Sequence, residues 1–155
     1  MKFSIPGRGD FDIQKVIFDL NGTLTIDGKV IEGVPERIQA LRQRVLALFL
    51  FTGDTQGNGA TIAKELGLEL KVTGHAQDKA NEARELESEH CAAIGNGSID
   101  IELFKTVKFP MAVRQAEGSC PKAEEEALIV FPSILDALDA LLQEPPKRII
   151  ATLRR

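Results

Sequence analysis

The sequence predicts an α/β protein built on a mostly parallel sheet. Six short apolar runs recur along the 155 residues. They are near-continuous rather than alternating, the pattern of strands covered on both faces. Segments of helical periodicity separate them, as in strand–helix–strand crossovers. A chain of this length is expected to make one domain, with a core that needs neither disulfides nor structural metal.

In chain order, residues 1–13 read as an N-terminal extension. Val16-Ile17-Phe18 is the first strand and ends at Asp19. Thr23 to Ile26, Asp27-Gly28 and Lys29 to Ile31 read as a small β-hairpin flap, because Asp-Gly favours a type I′ turn. It falls just past the first strand, over the sheet edge where α/β proteins bind ligands. Pro35–Arg44 reads as a helix and Val45–Phe51 as the second strand. Helix Gly59–Leu66, strand Leu70–Val72, helix Gln77–Ser88 and strand Cys91–Ile94 follow. Helix Ile99–Lys105 and strands Phe109–Val113 and Ala127–Phe131 come next. In Ser133–Leu142, residues Ile134, Leu135, Leu138, Leu141 and Leu142 recur at i, i+1, i+4, i+7 and i+8, one apolar helix face. Residues 145–155 read as a basic, solvated C-terminal tail.

Composition excludes several function classes. The net charge is −4, which argues against a nucleic-acid partner held by bulk phosphate attraction. Trp and Tyr are absent, which removes the usual stacking platform for single strands, although eight Phe remain. Mean hydropathy is −0.06, and no apolar run approaches the roughly 18 residues of a membrane span. Met1 to Phe11 has no apolar segment of the secretory type. Cys91 and Cys120 lack metal-ligand spacing, and only two histidines are present. A reduced, cytoplasmic setting is the expectation.

The chemistry concentrates at strand ends. In Phe18-Asp19-Leu20-Asn21-Gly22-Thr23-Leu24-Thr25 an acid closes a buried strand and a Gly-Thr turn follows. Glycine lets backbone N–H groups approach an anion, and a carboxylate held there serves as nucleophile or metal ligand. Thr52-Gly53-Asp54 offers a hydroxyl and amides to a phosphoryl oxygen; Asp54 either caps the turn or binds phosphate. Lys79 offers a charge that neutralises a transferred phosphoryl group. Gly95-Asn96-Gly97-Ser98-Ile99-Asp100 offers oxygen ligands to a hard divalent cation. The plain alternatives are a turn cap at Asp19, a turn residue at Thr52, a solvated Lys79, and a helix N-cap with first-turn acid at Asn96 and Asp100. His75, His90 and the Glu124–Glu126 run read as surface, and Cys91 as core.

Taken in this order, the four segments resemble the motifs of the haloacid dehalogenase (HAD) superfamily. The closer likeness is to soluble, capless proteins related to the phosphorylation domain of P-type ATPases. It covers about residues 14–155 and extends to Ser133–Leu138 and Pro146–Arg154. The resemblance implies a Rossmann-like three-layer sandwich and a phosphohydrolase acting through an aspartyl-phosphate on Asp19. It implies Mg²⁺ held by Asp19, the Asn21 carbonyl and the fourth motif through Asn96 and Asp100. Gly22, Thr52, Gly53 and Lys79 would hold the phosphoryl group.

Two of the motifs depart from the family pattern. Asn21 stands where phosphatases of the family carry the Asp that protonates the leaving group, and an amide cannot do that work. The fourth motif has Asn96 for an Asp and Ile99 for an Asn, so it loses a charge and a polar contact. Slow turnover is therefore expected. The alternative is a degenerate receiver or oligomeric scaffold that binds phosphate or Mg²⁺ without turnover. Residues 26–51 and 53–78 are each 26 long, too short for a cap beyond the core's own helices. An open site suits a macromolecular substrate or closure by a second copy. The 25–32 hairpin resembles one that builds tetramers, and Lys147, Arg148, Arg154 and Arg155 are candidates to reach a neighbour's site.

Overall fold

The computed structural model describes residues 1–53 and 58–155. The chain starts with an antiparallel hairpin, β1 (Lys2–Ile5) and β2 (Gly9–Asp12). β3 (Lys15–Phe18) follows, then a second hairpin, β4 (Thr25–Ile26) and β5 (Lys29–Val30). Helix α1 (Val34–Leu41), β6 (Ala47–Thr52), α2 (Asn58–Leu66), β7 (Glu69–Val72), α3 (Ala76–Glu85) and β8 (Cys91–Gly95) come next. The rest is α4 (Ile101–Thr106), β9 (Phe109–Val113), α5 (Pro121–Glu126), β10 (Ile129–Phe131), α6 (Ile134–Leu142) and α7 (Lys147–Leu153). Short 3₁₀ turns at Ser88–His90 and Ser98–Asp100 lead into β8 and α4.

Six strands make one sheet in the order β10-β9-β8-β3-β6-β7, with every pair parallel. Side chains alternate between its faces. Val16 and Phe18 of β3, Leu48 and Leu50 of β6, and Ala92 and Ile94 of β8 pack with α1, α2, α6 and α7. Ile17, Phe49, Phe51, Cys91 and Ala93 pack on the other side with α3, α4 and α5. The near-continuous apolar runs of β3, β6, β8 and β9 follow from this, since both of their faces are covered. Burial drives the Cys91 thiol up to about 11, and the residue is plain core.

The flap has the expected turn: Asp27 and Gly28 both take positive φ, 52° and 79°. Strand pairing joins Thr25 to Val30 and Ile26 to Lys29. The tip is held from two sides. Asp27 N–H donates to Glu117 (3.0 Å), and Asn58 Nδ2 donates to Gly28 O (3.2 Å).

The two ends differ from the sequence expectation. Residues 1–13, read as an N-terminal extension, pack into the core. Phe3 stacks on Phe11 at 5.3 Å, and both rings meet Phe109 edge-on at 5.9 and 5.5 Å. Ile5 and Ile13 are buried in the same core. The basic tail is largely helix α7. Ile149 and Leu153 are buried one turn apart, while Lys147, Arg148, Arg154 and Arg155 stay exposed. Arg8 Nε donates to Leu153 O (2.7 Å) and Arg155 N–H to Pro6 O (2.9 Å), so α7 is fastened to the first hairpin. The Glu124–Glu126 run belongs to α5, with Ala123 buried beneath it and Glu124 paired with Arg114. Smaller shifts occur at β6, where Val45 and Leu46 precede the strand and Leu46 is exposed. His75 is exposed, whereas His90 is half-buried with Nδ1 at 2.9 Å from Asp12 O. Among the described residues no helix is long and apolar enough to cross a membrane.

Candidate active site

Three neighbouring strands, β8, β3 and β6, end side by side. Asp19 follows β3, Thr52 closes β6, and Asn96 follows β8. Asp19 N–H continues the ladder by donating to Ile94 O (3.0 Å), which fixes the carboxylate at the carboxyl edge of the sheet. Lys79 reaches the same point from the first turns of α3.

Lys79 is 1% exposed, and its Nζ donates to Asp19 Oδ1 (2.9 Å) and Asp100 Oδ1 (2.8 Å). Asp19 is 8% exposed and Asp100 fully buried. Two carboxylates around one ammonium leave a net negative charge away from bulk water. Burial, then the charge of Asp100, pushes the Asp19 carboxyl up to about 6, against the opposing pull of Lys79 and Thr23. Burial by itself would lower Lys79, but the charges and hydrogen bonds of both carboxylates outweigh it and hold Lys79 above its ordinary value.

The turn after Asp19 winds around the Leu20 carbonyl, which accepts from the N–H groups of Thr23, Leu24 and Thr25 (3.2, 3.0 and 3.1 Å) and from Thr25 Oγ1 (3.2 Å). Gly22 takes φ +80°, and a Cβ there would collide with the Asn96 amide. Thr23 Oγ1 lies 3.2 Å from both Asp19 Oδ2 and Asn96 Oδ1. Asn96 Nδ2 donates to Gly118 O (3.1 Å). A Cβ on Gly95 would strike the Asp100 carboxylate, so that glycine makes room for the buried acid.

Asp19, Asn21, Thr52, Gly53, Lys79, Asn96, Gly97 and Ile99 line one open cleft of about 340 Å³. The structure thus gathers the residues read from the sequence, with Gly22 beneath the Asn96 amide. Asp54 lies outside the described residues. Asp100, expected to face a metal, has both oxygens engaged: Oδ1 holds Lys79, and Oδ2 accepts from the Asn96 and Gly97 N–H groups (3.1 Å each). Of the described residues that line the cleft, Asp19 is the carboxylate. Among the described residues no three His, Cys, Asp or Glu side chains gather as a metal site. The oxygen donors of Asp19, Asn21 and Asn96 nevertheless suit Mg²⁺, which takes one or two carboxylates and completes its shell with phosphate and water.

Gln115 was not legible as a site residue. Its Nε2 donates to Gly22 O (2.9 Å) and Thr23 O (2.8 Å), and its Oε1 accepts from Ile134 N–H (2.9 Å). It sits in an ordinary loop between β9 and α5, with no motif to mark it.

A search against protein-family models finds no match. Among solved structures, the chain is similar to the 3-deoxy-D-manno-octulosonate 8-phosphate phosphatase of Moraxella catarrhalis, solved with magnesium, phosphate and its sugar. The TM-score is 0.68 at 21% identity, over 92% of this chain and 94% of that one. The cobalt-bound phosphatase of the same name from Haemophilus influenzae gives 0.72 at 16% identity, over 89% and 91%. A structure from Legionella pneumophila described as a subfamily III A hydrolase of the HAD superfamily gives 0.65 at 18%, over 90% and 88%. The chain has the haloacid dehalogenase fold, with a hairpin and a single helix between its first and second central strands. By sequence it belongs with an uncharacterized protein of Methanocaldococcus jannaschii, to which it is 42% identical over 40 residues. These are 26% of this chain and 89% of that protein.

Proposed function

We propose that this chain is a phosphohydrolase that works through an aspartyl-phosphate on Asp19. The observation that carries the reading is the buried Asp19–Lys79–Asp100 cluster at the floor of an open cleft on the sheet's carboxyl edge. Lys79, held by Asp100, keeps the Asp19 oxygen oriented and offers its remaining N–H to a phosphoryl oxygen. Thr52 and the Gly53 amide face the same space. Asp19 attacks phosphorus, the bond to the leaving oxygen breaks, and that oxygen takes its proton from water because Asn21 has none to give. Water then attacks phosphorus, releasing phosphate and restoring Asp19. Mg²⁺, held by Asp19, the Asn21 carbonyl and Asn96 Oδ1, would neutralise charge on the phosphoryl oxygens. Without an internal acid, substrates with acidic leaving groups such as aryl phosphates are favoured.

The test is Mg²⁺-dependent phosphate release from an aryl phosphate by the wild type and by Asp19→Asn. Turnover by the wild type that vanishes in the variant is expected; turnover retained by the variant refutes the reading. Asn21, Asn96 and the engaged oxygens of Asp100 favour a second reading, a receiver that binds phosphate without turnover. Beryllofluoride binding with Mg²⁺ in the absence of hydrolysis would select it. The finer kinship with soluble relatives of P-type ATPases rests on the motif residues alone.

The 25–32 hairpin is the surface through which copies would associate into a tetramer. Helix α7 packs against β1, away from the cleft, and Lys147, Arg148, Arg154 and Arg155 are exposed around it, so they would serve a cleft only in a neighbouring copy. A monomeric mass in solution removes both ideas.

A further inference from the structure

We infer that Gln115 is a positioning residue for the nucleophile, acting through the turn that carries Asp19 and Asn21. The inference rests on the phosphohydrolase reading of that site. Within the turn, the Leu20 carbonyl accepts three N–H groups and the Thr25 carbonyl accepts the Gly22 N–H (2.9 Å), while the Gly22 and Thr23 carbonyls face the 114–120 loop. Gln115 takes both with its two N–H donors, and its carbonyl oxygen takes the Ile134 N–H at the start of α6. That N–H belongs to the first helical turn, which has no partner within the helix.

The placement matters because Thr23 stands on the path to the reacting atom. Its backbone carbonyl is held by Gln115, and its hydroxyl lies beside Asp19 Oδ2. Lys79 fixes the other oxygen. The rotation of the Asp19 carboxylate is thus set from both sides, and one side depends on where Gln115 holds the turn. Displacements of about 1 Å in such a geometry cost up to roughly 100-fold in rate.

The same 114–120 loop binds other parts of the rim. Gly118 O accepts from Asn96 Nδ2, Cys120 N–H donates to Asn96 O (2.8 Å), and Glu117 accepts from the flap tip at Asp27. Gln115 is the member that reaches the nucleophile's own turn. The chemistry at 115 is demanding, because the position needs two donors and one acceptor on one short side chain. Only an amide supplies that set, and Asn is one methylene short. Glu keeps the bond to Ile134 but turns an anionic oxygen on two carbonyls. Met leaves all three groups unpaired.

The experiment compares wild type, Gln115→Glu, Gln115→Met and Arg37→Ala. Arg37 pairs with Asp139 between α1 and α6, away from the cleft, and serves as a stability control. With an aryl phosphate and Mg²⁺, both Gln115 variants should lose about 10–100-fold in kcat with KM within about threefold. Beryllofluoride with Mg²⁺ should bind them at least about tenfold more weakly. Arg37→Ala should change neither beyond its folded fraction. Amide exchange needs no substrate: the Thr23, Leu24 and Thr25 amides should exchange faster in the Gln115 variants while the β8 amides keep their protection. Unchanged kcat and beryllofluoride affinity, losses that only match Arg37→Ala, or unchanged exchange at 23–25 would each overturn the inference. A wild type that neither turns over nor binds beryllofluoride removes the phosphohydrolase reading, and the exchange result still decides what Gln115 holds.

Discussion

Asp19 is held at a cost. A carboxylate in this position would titrate near 4 in an unfolded chain and titrates at about 6 in the folded one. The folded state therefore binds the proton more tightly, so metal-free protein loses stability as pH rises from about 4 to about 6. Two units correspond to roughly 3 kcal/mol. Asp19→Asn removes the penalty. In metal-free buffer it should melt about 6–12 °C above wild type at pH 8, a difference that shrinks to near zero at pH 4. Equal melting temperatures at both pH values would mean that the carboxylate is not penalised. Asn21 makes the complementary case, since it is exposed at the cleft where an acid would reach a leaving oxygen. Asn21→Asp should raise kcat for a poor leaving group by about 10–100-fold, with less effect on an aryl phosphate.

At the scale of elements, the first hairpin and α7 matter more than their size suggests. Phe11 touches Phe3 and Phe109, and Lys108 Nζ lies 5.3 Å from its ring centre. Phe11→Ala should cost about 3–5 kcal/mol, read as a lower urea midpoint with unchanged slope, whereas a loose extension would cost nothing. The strands were legible because burial on both faces leaves a run no polar residue can interrupt. The flap was legible because Asp-Gly at positive φ has few alternatives. The hairpin at 2–12 carries its alternation in two stretches of four residues, and α5 and α7 span six and seven. Such pieces show fewer than two helical turns or two alternations, and their partners lie far away in sequence. Asp19, Thr52 and Lys79 could be read because their chemistry recurs in order at strand ends. The role of Gln115 is set by backbone carbonyls more than 90 residues away, and nothing in its neighbours announces it. Asp100 was legible as an acid of the site, but its direction depended on the two amides that fold back on it.

For the whole molecule, the sheet has two free margins, β7 and β10, and both are poor templates for another chain. β7 carries Glu69 and Lys71 3.9 Å apart as an ion pair, and β10 is three residues long. A foreign strand laid along either margin would find charge on one side and too little length on the other. Growth by sheet continuation at these margins is thereby disfavoured. Copies that associate would then meet through side-chain surfaces, and such contacts close on a fixed number of subunits only where the symmetry of the contact closes.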